Sequence, residues 1–121
     1  MKMNWVTFKV NDLEKSLFFY TELLKLDVSA KFGSADHQIV MLGKAEEPKI
    51  ELIFEPGVEI ENPGYGVSIG LEAKNLDQRI RVLKEHGYQA VGPIAPNPNI
   101  RFFMVQDPTG YTVQLIEQKF N

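Results

Sequence analysis

Residues 10–14 of the chain read Val10-Asn11-Asp12-Leu13-Glu14, and a shift of 63 positions places them on Ala73-Lys74-Asn75-Leu76-Asp77. The same shift aligns apolar positions in later strand-like stretches, such as Leu52 with Leu115. Few residues are identical, but the apolar phase holds across helix-like and strand-like segments together. Self-similarity at a fixed spacing is typical of duplicated units, so we predict an internal repeat.

Both halves carry the same order of elements. Residues 5–10 alternate between apolar and polar side chains, as a strand does, and a helical stripe of Leu13, Leu17, Tyr20 and Leu24 follows. Three strand-like stretches complete each half. This order predicts one α+β domain over 1–121, made of two βαβββ modules at 1–54 and 66–121, joined by a linker at 55–65. Two curved mixed sheets of this kind are expected to enclose a cleft.

Local signals predict how these elements begin and end. Asn11 and Asn75 each precede a Glu or Gln by three residues, which favours a capping box at both helix starts. Asp107-Pro108-Thr109-Gly110 fits a type I turn. Gly92–Asn99 carries three prolines and predicts a loop, either a lid over a binding site or a stiff surface connection.

Composition limits the class of function. The chain has a formal net charge of −3 and no cysteine, which excludes disulfides and thiolate chemistry. Its basic residues are dispersed, so we expect no nucleic-acid partner. The N-terminal residues enter a strand pattern directly, and no apolar run is long enough to cross a bilayer. We therefore expect a cytoplasmic protein without a membrane partner.

Two motifs resemble the vicinal oxygen chelate superfamily of glyoxalases, extradiol dioxygenases and bleomycin-resistance proteins. Residues 10–20 are similar to the start of its first helix, and residues 107–117 to its last hairpin. The resemblance implies paired βαβββ modules that curve around a pocket. At this length it also implies a homodimer.

Metal-dependent members of that superfamily hold one divalent cation with four side chains. By motif, these positions correspond here to Trp5, Glu51, Ser68 and Gln114. The shift of 63 residues independently pairs Trp5 with Ser68 and Glu51 with Gln114. Indole cannot ligate a metal, and hydroxyl and amide oxygens are weak ligands. We therefore expect no metal and no other cofactor.

The remaining side chains suit a flat, partly polar organic ligand. Trp5 and Thr7 share one face of the first strand, opposite Val6, Phe8 and Val10, which are expected to meet the helix. Trp5 is either a stacking plate or a core or dimer contact. Glu51 is either a rim carboxylate or a ligand-binding group, and in an enzyme it would be the acid or base.

Further candidates lie in the second half. Arg101 and Phe103 follow the proline-rich segment; they form an ordinary strand, or Arg101 pairs with an anionic ligand. His37 and His86 hold no ligand position and are expected to be surface residues. One of Phe18 and Phe19 is expected to face outward.

Three functions remain open at this stage. The first is a metal-free protein that binds or sequesters a small aromatic or amphipathic compound. The second is a glyoxalase-like lyase or isomerase in which Glu51 does acid–base work. The third is a vestigial or partner-binding domain.

Overall fold

The computed structural model describes residues 1–119, which form two compact units, Met1–Pro63 and a second unit that begins at Gly64. The boundary falls inside the 55–65 segment that the sequence assigns to a linker. Each unit is one βαβββ module with a four-stranded mixed sheet. The predicted α+β fold of tandem modules is therefore confirmed.

The first unit places its strands in the order β1-β4-β3-β2, with β1 parallel to β4 and the other neighbours antiparallel. A parallel pair needs a long crossover connection, which here contains the helix and two further strands. The elements are β1 (Trp5–Lys9), α1 (Leu13–Leu17), β2 (Val28–Ser34), β3 (His37–Leu42) and β4 (Lys49–Phe54), and α1 continues as a π-helical segment (Phe18–Leu23).

The second unit repeats this topology in the order β5-β8-β7-β6, with β5 parallel to β8. Its elements are β5 (Ser68–Glu72), α2 (Leu76–Glu85), β6 (Ala90–Asn97), β7 (Ile100–Gln106) and β8 (Thr112–Gln118). The sequence pattern predicts strands at 67–73, 100–106 and 111–117, and β5, β7 and β8 coincide with these ranges to within one residue at each end. The turn at Asp107–Gly110 is closed by a 3.0 Å hydrogen bond from Gly110 N to Asp107 O, as predicted.

Strand register repeats with the same 63-residue spacing that the sequence shows. Thr7 lies opposite Glu51 in the first unit, and Gly70 lies opposite Gln114 in the second. Even the bond that follows the first strand recurs. Val10 N donates to Ile53 O at 2.9 Å, and Ala73 N donates to Ile116 O at 2.8 Å. The internal repeat is thus a structural repeat at the level of single backbone hydrogen bonds.

Each sheet packs one face against its own helix, because alternate residues of a strand point to opposite sides. In the first unit Phe8 and Val10 are buried and Val6 is half-buried, as predicted. The Phe8 ring lies 6.4 Å from the Tyr20 ring between centroids. The second unit buries an equivalent apolar set, which consists of Leu76, Ile80, Leu83, Phe103, Val105, Val113 and Leu115.

The helix starts differ from the predicted capping boxes. Asp12, not Asn11, is the N-cap residue of α1, and its carboxylate accepts from Lys15 N at 2.9 Å. Asn11 instead holds the backbone of Ile60 at two points, through Ile60 N at 2.6 Å and Ile60 O at 2.9 Å. Asn75 is the N-cap of α2, but it adopts a left-handed conformation and makes no side-chain capping bond.

The prediction of a loop over Gly92–Asn99 is wrong for most of that segment. Residues up to Asn97 belong to β6, which pairs only with β7 at the edge of the sheet. The pairing is irregular, with register shifts on both sides of Ile94. Proline lacks the N–H that a central strand needs, but an edge strand with bulges tolerates it. The described residues of this segment up to Asn97 therefore form an edge strand rather than a free lid.

Candidate functional site

The candidate site lies on the sheet face turned away from each unit's own helix, which we call the far face. In the first unit the far face includes Trp5, Thr7, Lys9, Met41, Glu51 and Ile53. Its equivalent in the second unit includes Ser68, Gly70, Glu72, Met104, Gln114 and Ile116. Both faces mix apolar and polar side chains, as a binding surface for an organic molecule does.

Glu51 forms the best-defined polar contact of the first unit's far face. Its Oε1 accepts a hydrogen bond from Thr7 Oγ1 at 2.6 Å, the length of a charge-assisted O–H···O⁻ bond. The contact follows from register, because Thr7 and Glu51 are direct partners in the parallel β1–β4 pair. Glu51 is half-buried, and on its other side lies Met41 of β3. The carboxylate is therefore held in place by its own sheet.

Two lysines on the same face are engaged elsewhere. Lys9 Nζ pairs with Glu55 Oε1 at 3.4 Å, and the pKa of Glu55 is lowered mainly by this hydrogen bond and further by His37. Lys49 Nζ donates to the backbone carbonyls of Lys44 and Glu47 and lies 3.3 Å from Ala45 O. Both ammonium groups thus have partners other than Glu51, although each lysine lies two residues along its strand from Thr7 or Glu51 on the far face.

Trp5 stands beside this pair with about half of its surface exposed, at 52%. It lines an open depression of about 330 Å³ within the first unit, together with Met3, Ala30 and Met41. Polar groups at its rim are Lys2, Asn4, Ser29, Glu46, Glu47 and Lys49. The sequence leaves Trp5 either as a stacking plate or as a core or dimer contact, and its exposure within the first unit weighs only against the core.

The second unit brings Ser68 and Gln114 together. Gln114 Nε2 donates to Ser68 Oγ at 3.2 Å across the β5–β8 pair. The residue directly opposite Gln114 is Gly70, which offers no side chain, and a Cβ there would lie 2.6 Å from Ile116 Cδ1. The amide therefore bonds to the neighbouring serine rather than to its register partner.

Arg101 and Phe103 lie on the helix-covered face of the second sheet, opposite the face of Ser68 and Gln114. Phe103 is buried in the core, and Arg101 bonds to Glu117 at 2.9 Å and to Asp77 at 3.0 Å. These bonds lower the pKa of both carboxyl groups and raise that of the guanidinium. The predicted ligand-binding role of the two residues remains a prediction, and their placement weighs against it.

Phe18, Phe19 and the two histidines have the exposure that the sequence predicts. Phe18 is 45% exposed whereas Phe19 is fully buried, so one of the two faces outward as predicted. His37 lies at the start of β3, exposed and 3.4 Å from Glu55 Oε2. His86 caps the end of α2, with Nδ1 3.0 Å from Val82 O. Both histidines are exposed, as predicted.

Sequence analysis missed three polar arrangements around the site. It did not identify Thr7 as the partner of Glu51, the cluster of Lys9 and His37 on Glu55, or the capping of a turn by Lys49. Residue parity already put Thr7 and Glu51 on compatible faces. Only the pairing of β1 with β4, which joins residues more than 40 positions apart, could have shown the contact.

The four positions that would hold a divalent cation do not fit one. Trp5 has no acceptor, Gln114 and Ser68 bond to each other, and Glu51 supplies one carboxylate already bonded to Thr7. Across residues 1–119, no group of three or more His, Asp or Glu side chains is arranged to hold a metal ion. The resemblance implies that the pair Trp5–Glu51 and the pair Ser68–Gln114 converge on one site. That arrangement remains a prediction.

Membrane spanning by a helix finds no support in the described part of the chain. Neither α1 nor α2 is long and apolar enough to cross a bilayer, and the same holds for the π-helical segment.

Comparison with known proteins gives consistent results. The family model described as Glyoxalase/Bleomycin resistance protein/Dioxygenase superfamily matches residues 2–115. A lactoylglutathione lyase of Salmonella typhimurium is 31% identical over 129 aligned residues, which cover 98% of this chain and 94% of the relative. A probable lactoylglutathione lyase of Synechocystis is 28% identical over 118 residues, covering 90% and 89%.

Solved structures agree on the fold. The trypanothione-dependent glyoxalase I of Leishmania major has a TM-score of 0.83 at 22% identity, over 98% of this chain and 88% of that one. An antibiotic binding protein from Streptomyces sp. CB03234 has a TM-score of 0.72 at 22% identity, over 98% and 96%. With tandem βαβββ modules, a repeated register and a family match over nearly its whole length, the chain belongs to the glyoxalase/bleomycin resistance protein/dioxygenase superfamily.

Proposed function

We propose that this protein binds a small aromatic or amphipathic compound on the far face of its first unit and does so without a divalent metal. The observation that carries the proposal is the Thr7–Glu51 pair beside the half-exposed Trp5. Together they offer a flat aromatic surface and a fixed hydrogen-bond acceptor, which are the elements of small-molecule recognition. Of the four positions that correspond to metal ligands, Trp5 cannot ligate a metal, and Ser68 and Gln114 offer only weak ligands.

A binding role is described for another protein that has this fold. The Streptomyces protein that shares this fold is described as antibiotic binding. Its identity of 22% supports the fold alone, so the ligand of the present chain is argued from its own residues. We also propose that the protein is a cytoplasmic homodimer, as the sequence predicts. Light scattering after gel filtration measures the molar mass and so tests whether the protein is a dimer.

The primary experiment combines native mass spectrometry, metal analysis and ligand titration. We expect purified protein to carry less than one equivalent of divalent metal and to bind the neutral probe 2-naphthylmethanol with a change in Trp5 fluorescence. Trp5 is the only tryptophan, so the signal reports this position directly. In calorimetry, Trp5→Leu is expected to weaken the probe roughly fivefold, because stacking adds to apolar burial.

Phe18→Leu is the matched control, because Phe18 is an exposed aromatic residue of the helical segment rather than of the sheet. It is expected to leave the affinity unchanged. Stoichiometric metal in the purified protein would contradict the proposal, as would equal loss of binding in the two variants.

A second candidate is a glyoxalase-like lyase or isomerase that uses Glu51 as acid or base. The relatives named lactoylglutathione lyase, at about 30% identity over nearly the full length, favour it. Lactoylglutathione lyase activity that appears without added metal and disappears in Glu51→Gln would replace the binding proposal by this one. Activity equal in both proteins would exclude Glu51 as the catalytic group.

A further inference from the structure

The carboxylate of Glu51 has more acceptor capacity than its own unit uses. An ionised carboxylate offers about four lone-pair sites, and Thr7 fills one of them with its only hydroxyl proton. On the other side of Glu51 stands Met41, whose thioether cannot donate a hydrogen bond. Sites therefore remain for donors that come from outside the unit.

The charge of Glu51 is also unmatched by the nearest cations of its own face. Lys9 is directed to Glu55 and Lys49 to the carbonyls of the turn that precedes β4. Each of these lysines stands two residues along its strand from Thr7 or Glu51, within reach of a long side chain. Among the described residues no cation pairs with this half-buried carboxylate, and a ligand that covers it would bury its charge further unless the ligand is itself positive.

Trp5 strengthens the preference for a cation. Its ring lies on the same face, two residues from Thr7, and about half of it is exposed. Tryptophan is the side chain whose ring attracts cations most strongly. Gln114, the equivalent of Glu51 in the second unit, is a neutral amide, and Ser68 stands in place of Trp5. The feature is therefore particular to the first unit.

From these observations we infer that the ligand bound at Trp5 and Glu51 is an organic cation, in which a protonated nitrogen faces the carboxylate and a planar apolar group faces the indole. The inference rests on the proposed function and narrows its ligand class. A neutral ligand would satisfy the geometry but would bury the charge of Glu51 further without compensating it.

Three matched probes test this inference: 2-naphthylmethylamine, 2-naphthylmethanol and 2-naphthoate, which are cationic, neutral and anionic at pH 7. Their binding is measured by calorimetry in buffer containing a metal chelator. We expect the amine to bind about tenfold more tightly than the alcohol, because hydrogen bonds to charged groups are the stronger ones, and the naphthoate to bind most weakly.

Glu51→Gln keeps the shape of the side chain and removes its charge, so the ratio of amine affinity to alcohol affinity should fall to less than twofold. Thr7→Val removes the hydrogen bond from Thr7 but retains the carboxylate, so this variant should still prefer the amine. It keeps the inference testable if Glu51→Gln does not fold. Glu59→Gln is the charge-matched control, since Glu59 is an exposed residue between the strands β4 and β5.

The outcomes separate this inference from the proposed function. Equal binding of amine and alcohol would overturn the cation assignment and leave the binding function standing. A preference for the amine that survives in Glu51→Gln would overturn it as well. Failure of all three probes to bind would count against both.

Discussion

The two units share one strand register but differ at the far face and at the turn that leads into their last strand. Glu51 faces Thr7 in the first unit, whereas the equivalent Gln114 faces a glycine and turns to Ser68. In the first unit the ammonium of Lys49 caps carbonyls of the turn. In the second the carboxylate of Asp107 caps three amides, those of Thr109, Gly110 and Tyr111.

This difference shows which part of a duplicated fold is constrained. The register depends on the buried face, because a slip of one residue would turn every core side chain toward the other side. Side chains on the far face do not carry that constraint and can diverge in charge and size. The polar pairs Thr7–Glu51 and Ser68–Gln114 on the far faces can therefore differ between two units that share one register.

The largest expected effect is the loss of equivalent core leucines. Leu52 and Leu115 occupy matching register positions and are both buried, at 0% and 2% exposure. Leu52→Ala and Leu115→Ala should each lower the free energy of unfolding by about 2–5 kcal/mol, through lost burial and a cavity. Urea denaturation measures both. Lys31→Ala, on exposed β2, serves as the control and should change stability little. If only one of the two variants lost less than about 1 kcal/mol of unfolding free energy, the two leucines would not be equivalent in the cores of their units.

The turn caps provide the next comparison. Asp107 is 4% exposed and accepts from three backbone N–H groups at 2.8–3.0 Å, whereas exposed Glu47 accepts from Lys44 N at 3.0 Å. We expect Asp107→Ala to cost about 2 kcal/mol of unfolding free energy, because three backbone N–H groups lose their bond to the carboxylate, while Gly110 N keeps a second acceptor, Asp107 O. Glu47→Ala should stay within about 0.5 kcal/mol. Asp107→Asn keeps the acceptor oxygen, so a loss equal to that of Asp107→Ala would refute the capping explanation.

The buried face could be predicted from sequence, but the polar contacts only in part. Period-two alternation placed Phe8 inside and Thr7 outside, and the repeat paired Glu51 with Gln114. Contacts such as Thr7 with Glu51 join strands far apart in the chain, so local patterns cannot reveal them. For the same reason the sequence did not reveal the bond between Arg101 of β7 and Asp77 of α2.

The prediction of a loop in the proline-rich segment was wrong for a different reason. Three prolines argue against a central strand, and the sequence alone does not tell which strand lies at the edge of its sheet. The order β5-β8-β7-β6 puts Gly92–Asn97 at that edge, where the missing N–H groups cost little. The error therefore concerned topology rather than local conformation.

A smaller effect is expected at a helix position where the two units differ in burial. Ser16 is fully buried and its hydroxyl is the one buried side-chain polar atom without a hydrogen-bond partner in the described residues. Its repeat equivalent is the half-buried Arg79. Ser16→Ala should raise the unfolding free energy by about 1 kcal/mol, since it removes an unsatisfied hydroxyl from the core and favours the helix. Arg79→Ala should change stability by no more than about 0.5 kcal/mol. A destabilised Ser16→Ala protein would indicate that the hydroxyl has a partner such as a buried water.

The smallest effect concerns pH, and it sharpens the comparison between the ion pairs of the two units. Arg101 lowers the pKa values of Asp77 and Glu117 below their ordinary values of 3.8 and 4.5. A carboxyl group whose pKa is lowered by folding stabilises the protein above its unfolded pKa, and that stabilisation is lost as pH falls through the folded value. The second unit should therefore lose stability below about pH 4.5, and in Arg101→Gln this acid-dependent part should shrink while the neutral-pH stability falls slightly. Urea midpoints between pH 2.5 and 7 measure this acid-dependent loss of stability.

Lys9→Gln should likewise reduce the acid-dependent stability that Glu55 gives the first unit, where the pKa of Glu55 is lowered mainly by Lys9 but His37 remains as a second partner. Because that partner is retained, the change should be smaller for Lys9→Gln than for Arg101→Gln, and the reverse order would mean that Glu55 depends on Lys9 alone.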